Sequence, residues 1–412
     1  MNTGTHTFRV AGQAAVLLLL LVSTLLPARV AKAAAPDLLP PCGQPPAVGN
    51  WTINASCDLT SPVIAPQNVT ITNNATVTIP GGRWLNVDFR NRYLRILPGS
   101  ALLIQPGARA YSFRLGHTFL NNTDGTFGYY LKRVNGGVME SYNATFAFYP
   151  ASTIKVLQHL HAMRAVDAGS VTLLGTNLNV CSGGTNCTDN ANTVALCGGA
   201  MVVENLQTAL TNMMRPSNNQ STNAVQELFG GGTPSIGRAA MNTTASAVVG
   251  MSASTALQHK FACGNVSNNP YNTLTLADAG RLYEQAMTND AVLPEPTRTT
   301  FVQIMLNQTN NGSLVTAINA IIDQEAALFE MPAADVQAVK NGMQFGHKAG
   351  NIGTAYESDA GWFSLPVNGG ADTRQYVFAH FVDGATVNTL PSFDARSSEL
   401  LRTAIRESLP LY

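Results

Sequence analysis

The chain is 412 residues long, 45% hydrophobic and only 12% charged, with 24 basic and 24 acidic side chains that cancel. An average domain is about a quarter charged, so polarity here comes from Asn, Thr, Ser and Gly, and disorder driven by high charge is excluded. Zero net charge with no basic run also excludes nucleic acid as a partner, because phosphate binding needs clustered Lys and Arg.

Arg9 precedes an apolar run from Ala14 to Val22, followed by Leu25, Leu26, Pro27 and Ala31-Lys32-Ala33. A basic start, a short apolar core and a small-residue end have the form of a secretory signal peptide over residues 1–33. A spanning helix needs about 20 apolar residues, so no stable membrane span is expected after cleavage. The predicted mature protein is secreted, to a periplasm, a cell surface or the medium, and loss of Arg9, Arg29 and Lys32 leaves it mildly acidic. Export puts Cys42, Cys57, Cys181, Cys187, Cys197 and Cys263 in an oxidising compartment, which predicts three disulfides, with Cys42–Cys57 as the local one. Their spacing lacks the paired C-x-x-C of a zinc site.

From residue 34 to 109 short apolar pieces recur: Val69–Ile71, Val77–Ile79, Leu85–Phe89, Leu94–Ile96 and Leu102–Ile104. Pro80-Gly81, Pro98-Gly99 and Pro106-Gly107 punctuate them. Short Val/Ile/Thr strands between turn dipeptides predict a small all-β module resembling the stacked rungs of a β-solenoid. It reads as a structural cap or as an attachment surface for cell wall or surface glycan.

A second domain is predicted over 110–412. Phe127–Val134 and Val138–Tyr142 flank Asn135-Gly136-Gly137, a hairpin signal. Val156, Leu160, Met163 and Val166 then recur at helical spacing up to Gly169, so a helix is expected to start close to Ser152. Ser152-Thr153-Ile154-Lys155 sets a hydroxyl and an amine three residues apart, on one helix face. A lysine can take the serine proton there only if its own pKa is lowered by burial or positive surroundings. Leu206, Leu210 and Met213 form another apolar stripe, ending before Ser217-Asn218-Asn219, and a further helix follows through Val225 and Leu228. Much later, His347 leads into Lys348-Ala349-Gly350 ahead of the apolar piece Gly361–Leu365.

In this order the three elements resemble the S-x-x-K, S-D-N and K-T-G of the serine β-lactamase and penicillin-binding superfamily, class A most closely. The resemblance extends to Phe148-Tyr149-Pro150-Ala151, Asn223, the Thr273–Met287 helix, Phe378–Val382 and the Ser397–Ser408 helix. It implies an α+β fold, an antiparallel sheet flanked by helices with an all-helical subdomain. It also implies an acyl-enzyme mechanism with no cofactor and a small-molecule or peptide-like acyl substrate. Carried over, Ser152 is the nucleophile and Lys155 its base, while Ser217 and Lys348 pass a proton to the leaving group. Asn219 holds the substrate amide, with Ala349, Gly350 and Asn351 on the binding strand. The backbone N–H groups of Ser152 and Asn351 form the oxyanion hole.

Two departures from the pattern bear on the substrate. No glutamate lies between Glu227 and Glu284, where the family keeps the carboxylate that activates the deacylating water, so deacylation is expected to reuse Lys155 and Ser217. Ala349 lacks the hydroxyl that binds the substrate carboxylate, and no arginine occurs from Ala349 to Asp372. The expected enzyme therefore cleaves an ester, amide or lactam bond in a substrate without that carboxylate. The alternatives are a β-lactamase or D,D-peptidase, and a non-catalytic surface protein. His159 and His161 do not share a helix face and make poor metal ligands.

Overall fold

The protein is described from a computed structural model, over residues 39–46, 49–61, 63–65, 68–87, 92–106, 108–111, 125–182, 197, 199–262, 270–306, 311–329, 331–353, 355–386 and 393–412. The chain divides into two compact units, residues 1–85 with 93–110, and residues 86–92 with 111–412. The expected signal peptide lies outside the described residues.

The first unit contains nine short strands: β1 (Trp51–Ile53), β2 (Cys57–Asp58), β3 (Val63–Ala65), β4 (Val69–Ile71), β5 (Thr76–Ile79), β6 (Trp84–Val87), β7 (Leu94–Ile96), β8 (Ala101–Ile104) and β9 (Arg109–Tyr111). Every third strand is a neighbour, giving the orders β1-β4-β7, β2-β5-β8 and β3-β6-β9. Pairing is parallel in the first two, with Val69 opposite Leu94 and Val77 opposite Leu102. Alternation sends Val69, Ile71, Val77 and Ile79 fully inward. Gly99 turns at φ +82°, and the Asn74 side chain occupies the space a Cβ there would need. Cys42 and Cys57 are bridged.

The second unit is built on a five-stranded antiparallel sheet. Its strands are β10 (Thr126–Arg133), β11 (Val138–Tyr142), β14 (Gln344–Ile352), β15 (Tyr356–Val367) and β16 (Asp372–Asp383), in the order β11-β10-β16-β15-β14. The β10–β11 turn rests on Asn135 at φ +55° rather than on either glycine. A separate hairpin, β12 (Asn177–Cys181) with β13 (Met201–Asn205), is tied by Cys181–Cys197. Cys187 and Cys263 lie outside the described residues, and with them the third expected bridge.

Nine helices are described: α1 (Lys155–Asp167), α2 (Leu206–Met214), α3 (Asn219–Phe229), α4 (Pro234–Thr243), α5 (Leu276–Thr288), α6 (Thr297–Leu306), α7 (Asn311–Leu328), α8 (Ala333–Gly342) and α9 (Phe393–Ser408). Strand alternation gives the sheet two apolar faces. Val377, Ala379 and Phe381 of β16 join the core that holds α1, α2, α3 and α5. Tyr376, Phe378 and Val382 join the opposite core, with α7 and α9. Among the described residues no helix is long and apolar enough to cross a membrane. The mixed α/β architecture is the one implied by the motifs.

Candidate active site

α1 begins at Lys155, later than its periodicity suggested. Residues 150–157 instead enter it through tight turns, with Thr153 N–H on the Pro150 carbonyl at 2.9 Å and Lys155 N–H on the Ser152 carbonyl at 3.1 Å. Ala151 sits at φ +43° immediately before Ser152, and Ser217 sits at φ +62°. Neither is glycine, so both carry backbone strain, which collects at functional sites where surrounding contacts enforce it. At Ser217 the enforcing element is α3, whose N-cap Asn218 accepts from Ser221 N–H at 2.8 Å. Glu204 adds a second brace, accepting from Ser221 Oγ at 3.0 Å and from Asn212 at 2.9 Å.

Ser217 and Asn219 are thereby delivered to Lys155. The lysine Nζ donates to the Ser217 carbonyl at 2.7 Å and to Asn219 Oδ1 at 2.6 Å, and Ser217 Oγ lies at 3.2 Å. Lys155 is fully buried. Burial, assisted by the charge of Lys348, holds it well below the ordinary lysine range.

β14 closes the other side. A Cβ on Gly350 would lie 2.3 Å from the Ser152 nitrogen, so only glycine lets the strand press against the turn that carries Ser152. Thr153 Oγ1 donates to the Lys348 carbonyl at 3.0 Å, and Ser358 Oγ of β15 donates to the Pro150 carbonyl at 2.6 Å. These bonds fix strand to turn. Lys348 is buried, and its Nζ donates to the Ala349 carbonyl at 2.6 Å. Burial lowers its pKa to about 8, against the opposing pull of Asp359. Ala349 is half-buried and Asn351 exposed. Lys155, Ser217 and Asn219 are thus brought together, Gly350 packs on the Ser152 turn and the Lys348 charge is felt at Lys155, while Ala349 and Asn351 are their neighbours along β14.

Phe261 was not singled out by its motif context. The Ala256–Thr273 bridge brings together the two ends of the intervening chain. Such closely spaced ends define an Ω-loop. Within it Phe261 exchanges two bonds with the Asn223 side chain, N–H to Oδ1 at 2.9 Å and carbonyl from Nδ2 at 3.1 Å. Lys260 next door pairs with buried Glu227 at 3.2 Å. The loop is thus pinned to α3, and the Phe261 ring centroid lies 4.9 Å from Lys155 Nζ. A phenyl ring occupies the loop's approach to the lysine. Asp278, the one acidic residue between Glu227 and Glu284, is spent structurally on Ser252 and Thr255 at 2.6 and 2.7 Å.

An arginine does reach this region from α9, beyond the Ala349–Asp372 stretch. Arg396 of α9 is buried and paired with Glu357 of β15. Its charge is neutralised within the protein rather than offered to a substrate carboxylate.

The helix-flanked antiparallel sheet, the strained serine turn and the buried lysine define the serine β-lactamase and penicillin-binding class. The sequence profile of the β-lactamase enzyme family matches residues 115–405, and the chain belongs to that family. It is a serine hydrolase of the acyl-enzyme type. Similar solved structures include a β-lactamase from Sphaerobacter thermophilus, 20% identical, covering 71% of this chain and 94% of that one with a TM-score of 0.51. A substituted form of the penicillin-binding protein PBP-A, solved as its acyl-enzyme with penicillin G, is 19% identical over 71% of this chain and 95% of that one, TM-score 0.51. A β-lactamase from Xanthomonas campestris is 17% identical over 72% and 96%, TM-score 0.50. No curated protein matched. At these identities the likeness is one of fold.

Proposed function

We propose that the protein is a secreted serine acyl hydrolase that forms its acyl-enzyme on Ser152 and cleaves an ester, amide or lactam bond in a substrate lacking the usual carboxylate. The observation that carries this reading is Lys155, buried beside Ser217 and Asn219 with, among the described residues, no carboxylate bonded to it. A neutral amine keeps two N–H donors for the Ser217 carbonyl and Asn219 Oδ1, and its lone pair is then free to take a hydroxyl proton.

In this reading Lys155 removes the Ser152 proton, and Ser152 Oγ bonds to the substrate carbonyl carbon. The oxyanion forms against the N–H groups of Ser152 and Asn351. Ser217, held by Lys155, returns a proton to the leaving group with help from Lys348. Asn219, with its oxygen on Lys155, turns its NH2 toward the substrate amide. With Phe261 over Lys155 and no glutamate in the loop, deacylation reuses Lys155 and Ser217 to activate the water. Ala349 in place of a hydroxyl residue, and Arg396 committed to Glu357, leave a substrate carboxylate uncompensated; a buried site that cannot bond a charge rejects it.

The disulfides support export to an oxidising compartment. The parallel strand stacking of residues 39–110 supports a solenoid-like module, proposed here as a structural cap or a surface-attachment element.

The test is intact mass after incubation with a fluorophosphonate, a simple aryl ester and penicillin G. A one-to-one adduct with the fluorophosphonate, absent from Ser152→Ala, is expected. The ester should turn over faster than the penicillin. No adduct with any reagent would sink the reading, and rapid penicillin hydrolysis would overturn the argument from Phe261.

A further inference from the structure

β14 presents Lys348 to the site and His347 to the opposite face of the sheet, toward α9. On that far face His347, Asp359 and His380 are 2%, 0% and 0% exposed, and Ser397 of α9 is 0% exposed. They form one hydrogen-bonded chain. His347 Nδ1 lies 2.8 Å from Asp359 Oδ1, Ser397 Oγ donates to Asp359 Oδ2 at 2.7 Å, and His380 Nε2 lies 2.7 Å from Ser397 Oγ.

The protons of this chain can be assigned from donor counts. A carboxylate only accepts, so the single Ser397 hydrogen is committed to Asp359. His380 must then donate from Nε2, and it does so as a neutral ring, because burial pushes its pKa down to about 3. His347 donates from Nδ1. Burial would raise the Asp359 carboxyl, but His347, His380 and Ser397 outweigh it and hold it below the usual carboxylate range. An ionised carboxylate is thus locked in the core behind the strand that carries Lys348.

Asp359 is opposite Ala349 in the β14–β15 ladder, one register position from the Lys348–Ala360 pair. The two side chains leave the sheet on opposite faces, but both are buried, where charge is weakly screened, and the Asp359 charge opposes the effect of burial on Lys348 through the sheet. The other groups around the pair do not supply this countercharge. α1 contributes Lys155, an amine that supplies no negative charge in either protonation state, and α5 the neutral, buried Tyr283 hydroxyl, pushed well above its ordinary range by burial. α6 meets β14 with Met305 at Gly346, and Arg396 of α9 is paired with Glu357.

We propose that Asp359, locked by Ser397 and His347, is a positioning residue of the acyl-transfer site: a countercharge behind the sheet that keeps Lys348 cationic while Ser152 is acylated. This rests on the acyl-enzyme reading above. The protonated Lys348 is the form that acts, so acylation falls as pH rises through about 8. Without the carboxylate that alkaline limb moves down.

The experiment is the pH profile of acylation by an aryl ester for the unaltered chain, Asp359→Asn and Asp359→Glu, with folding checked by thermal melts. Asp359→Asn should lower the alkaline limb by about one unit or more, and Asp359→Glu, which keeps the charge, should hold it near its original place. A folded Asp359→Asn with an unmoved limb overturns the inference and leaves the acyl-enzyme reading intact. An unaltered chain that takes no acyl group sinks both. A second measurement is independent of any variant folding: in the unaltered chain carrying 13Cε-lysine, the Lys348 resonance should titrate near 8. An amine already neutral below about pH 6 overturns the inference.

Discussion

Phe261 changes what Lys155 can do. A phenyl face stabilises a nearby ammonium by about 0.5–2 kcal/mol, yet the same ring strips water from it, and burial wins here because Lys155 is fully enclosed. The ring also offers no lone pair to activate a water, so the acyl-enzyme should be long-lived. Replacing Phe261→Glu places a carboxylate at that approach, and a general base contributes about 100-fold or more. The expected outcome is decay of the acetyl or aryl-acyl adduct faster by about 10–100-fold, followed by intact mass. An unchanged lifetime would show that another group limits deacylation. The two lysines also set opposite limbs of the acylation profile. Lys155 must lose its proton, so activity rises with pH through its lowered pKa; Lys348 must keep its proton, so activity falls through about 8. Stopped-flow acylation across pH 5–10 should therefore be bell-shaped, and a rate still rising at pH 10 would contradict this assignment.

Helices and strands place these residues, and the Ω-loop to α3 contact is the placement most open to perturbation. Asn223 makes two bonds to the Phe261 backbone, across 38 residues of sequence. Asn223→Ala removes both and strands two buried backbone groups, a loss of about 2–4 kcal/mol. The melting temperature should fall, and the acyl adduct should decay faster because Phe261 is released from Lys155. If stability falls while the adduct lifetime is unchanged, the loop does not gate water. Elements written in local chemistry were legible from sequence: α5 was visible as Thr275 capping Asp278 N–H at 3.0 Å, and β14 as Lys348-Ala349-Gly350. Lys155, Ser217 and Asn219 were legible together because the motif order that carries the resemblance pairs them. Phe261 was not legible, since its role arises from Asn223 on another element and no neighbouring residue marks it. Arg396 was hidden for the same reason, arriving from α9 beside Glu357. The late start of α1 comes from Ala151 at φ +43°, a strained turn that hydrophobic periodicity does not register. β1 to β3 and β9 were not legible because they lack the two large aliphatic residues flanking one position that mark β4 and β7.

The whole molecule combines two cores of unequal strength. The second unit buries two apolar layers on either side of its sheet, whereas the first relies on strands of two to four residues around Val69, Ile71, Val77 and Ile79. Short strands bury little apolar area, so the smaller unit depends more on its covalent tie. Cys42–Cys57 closes 15 residues there, and Cys181–Cys197 closes 16 at the β12–β13 hairpin. In the chain-entropy account each such loop contributes about 3 kcal/mol. That is a large share of a small core and a minor share of a large one. Calorimetry should accordingly resolve two transitions, and reduction with dithiothreitol should lower the one belonging to residues 39–110 far more than the other. At 25 °C the reduced protein should still acylate Ser152 at close to its original rate, because no disulfide among the described residues touches the site. Loss of acylation together with the first transition would show that the two units do not hold their structures separately.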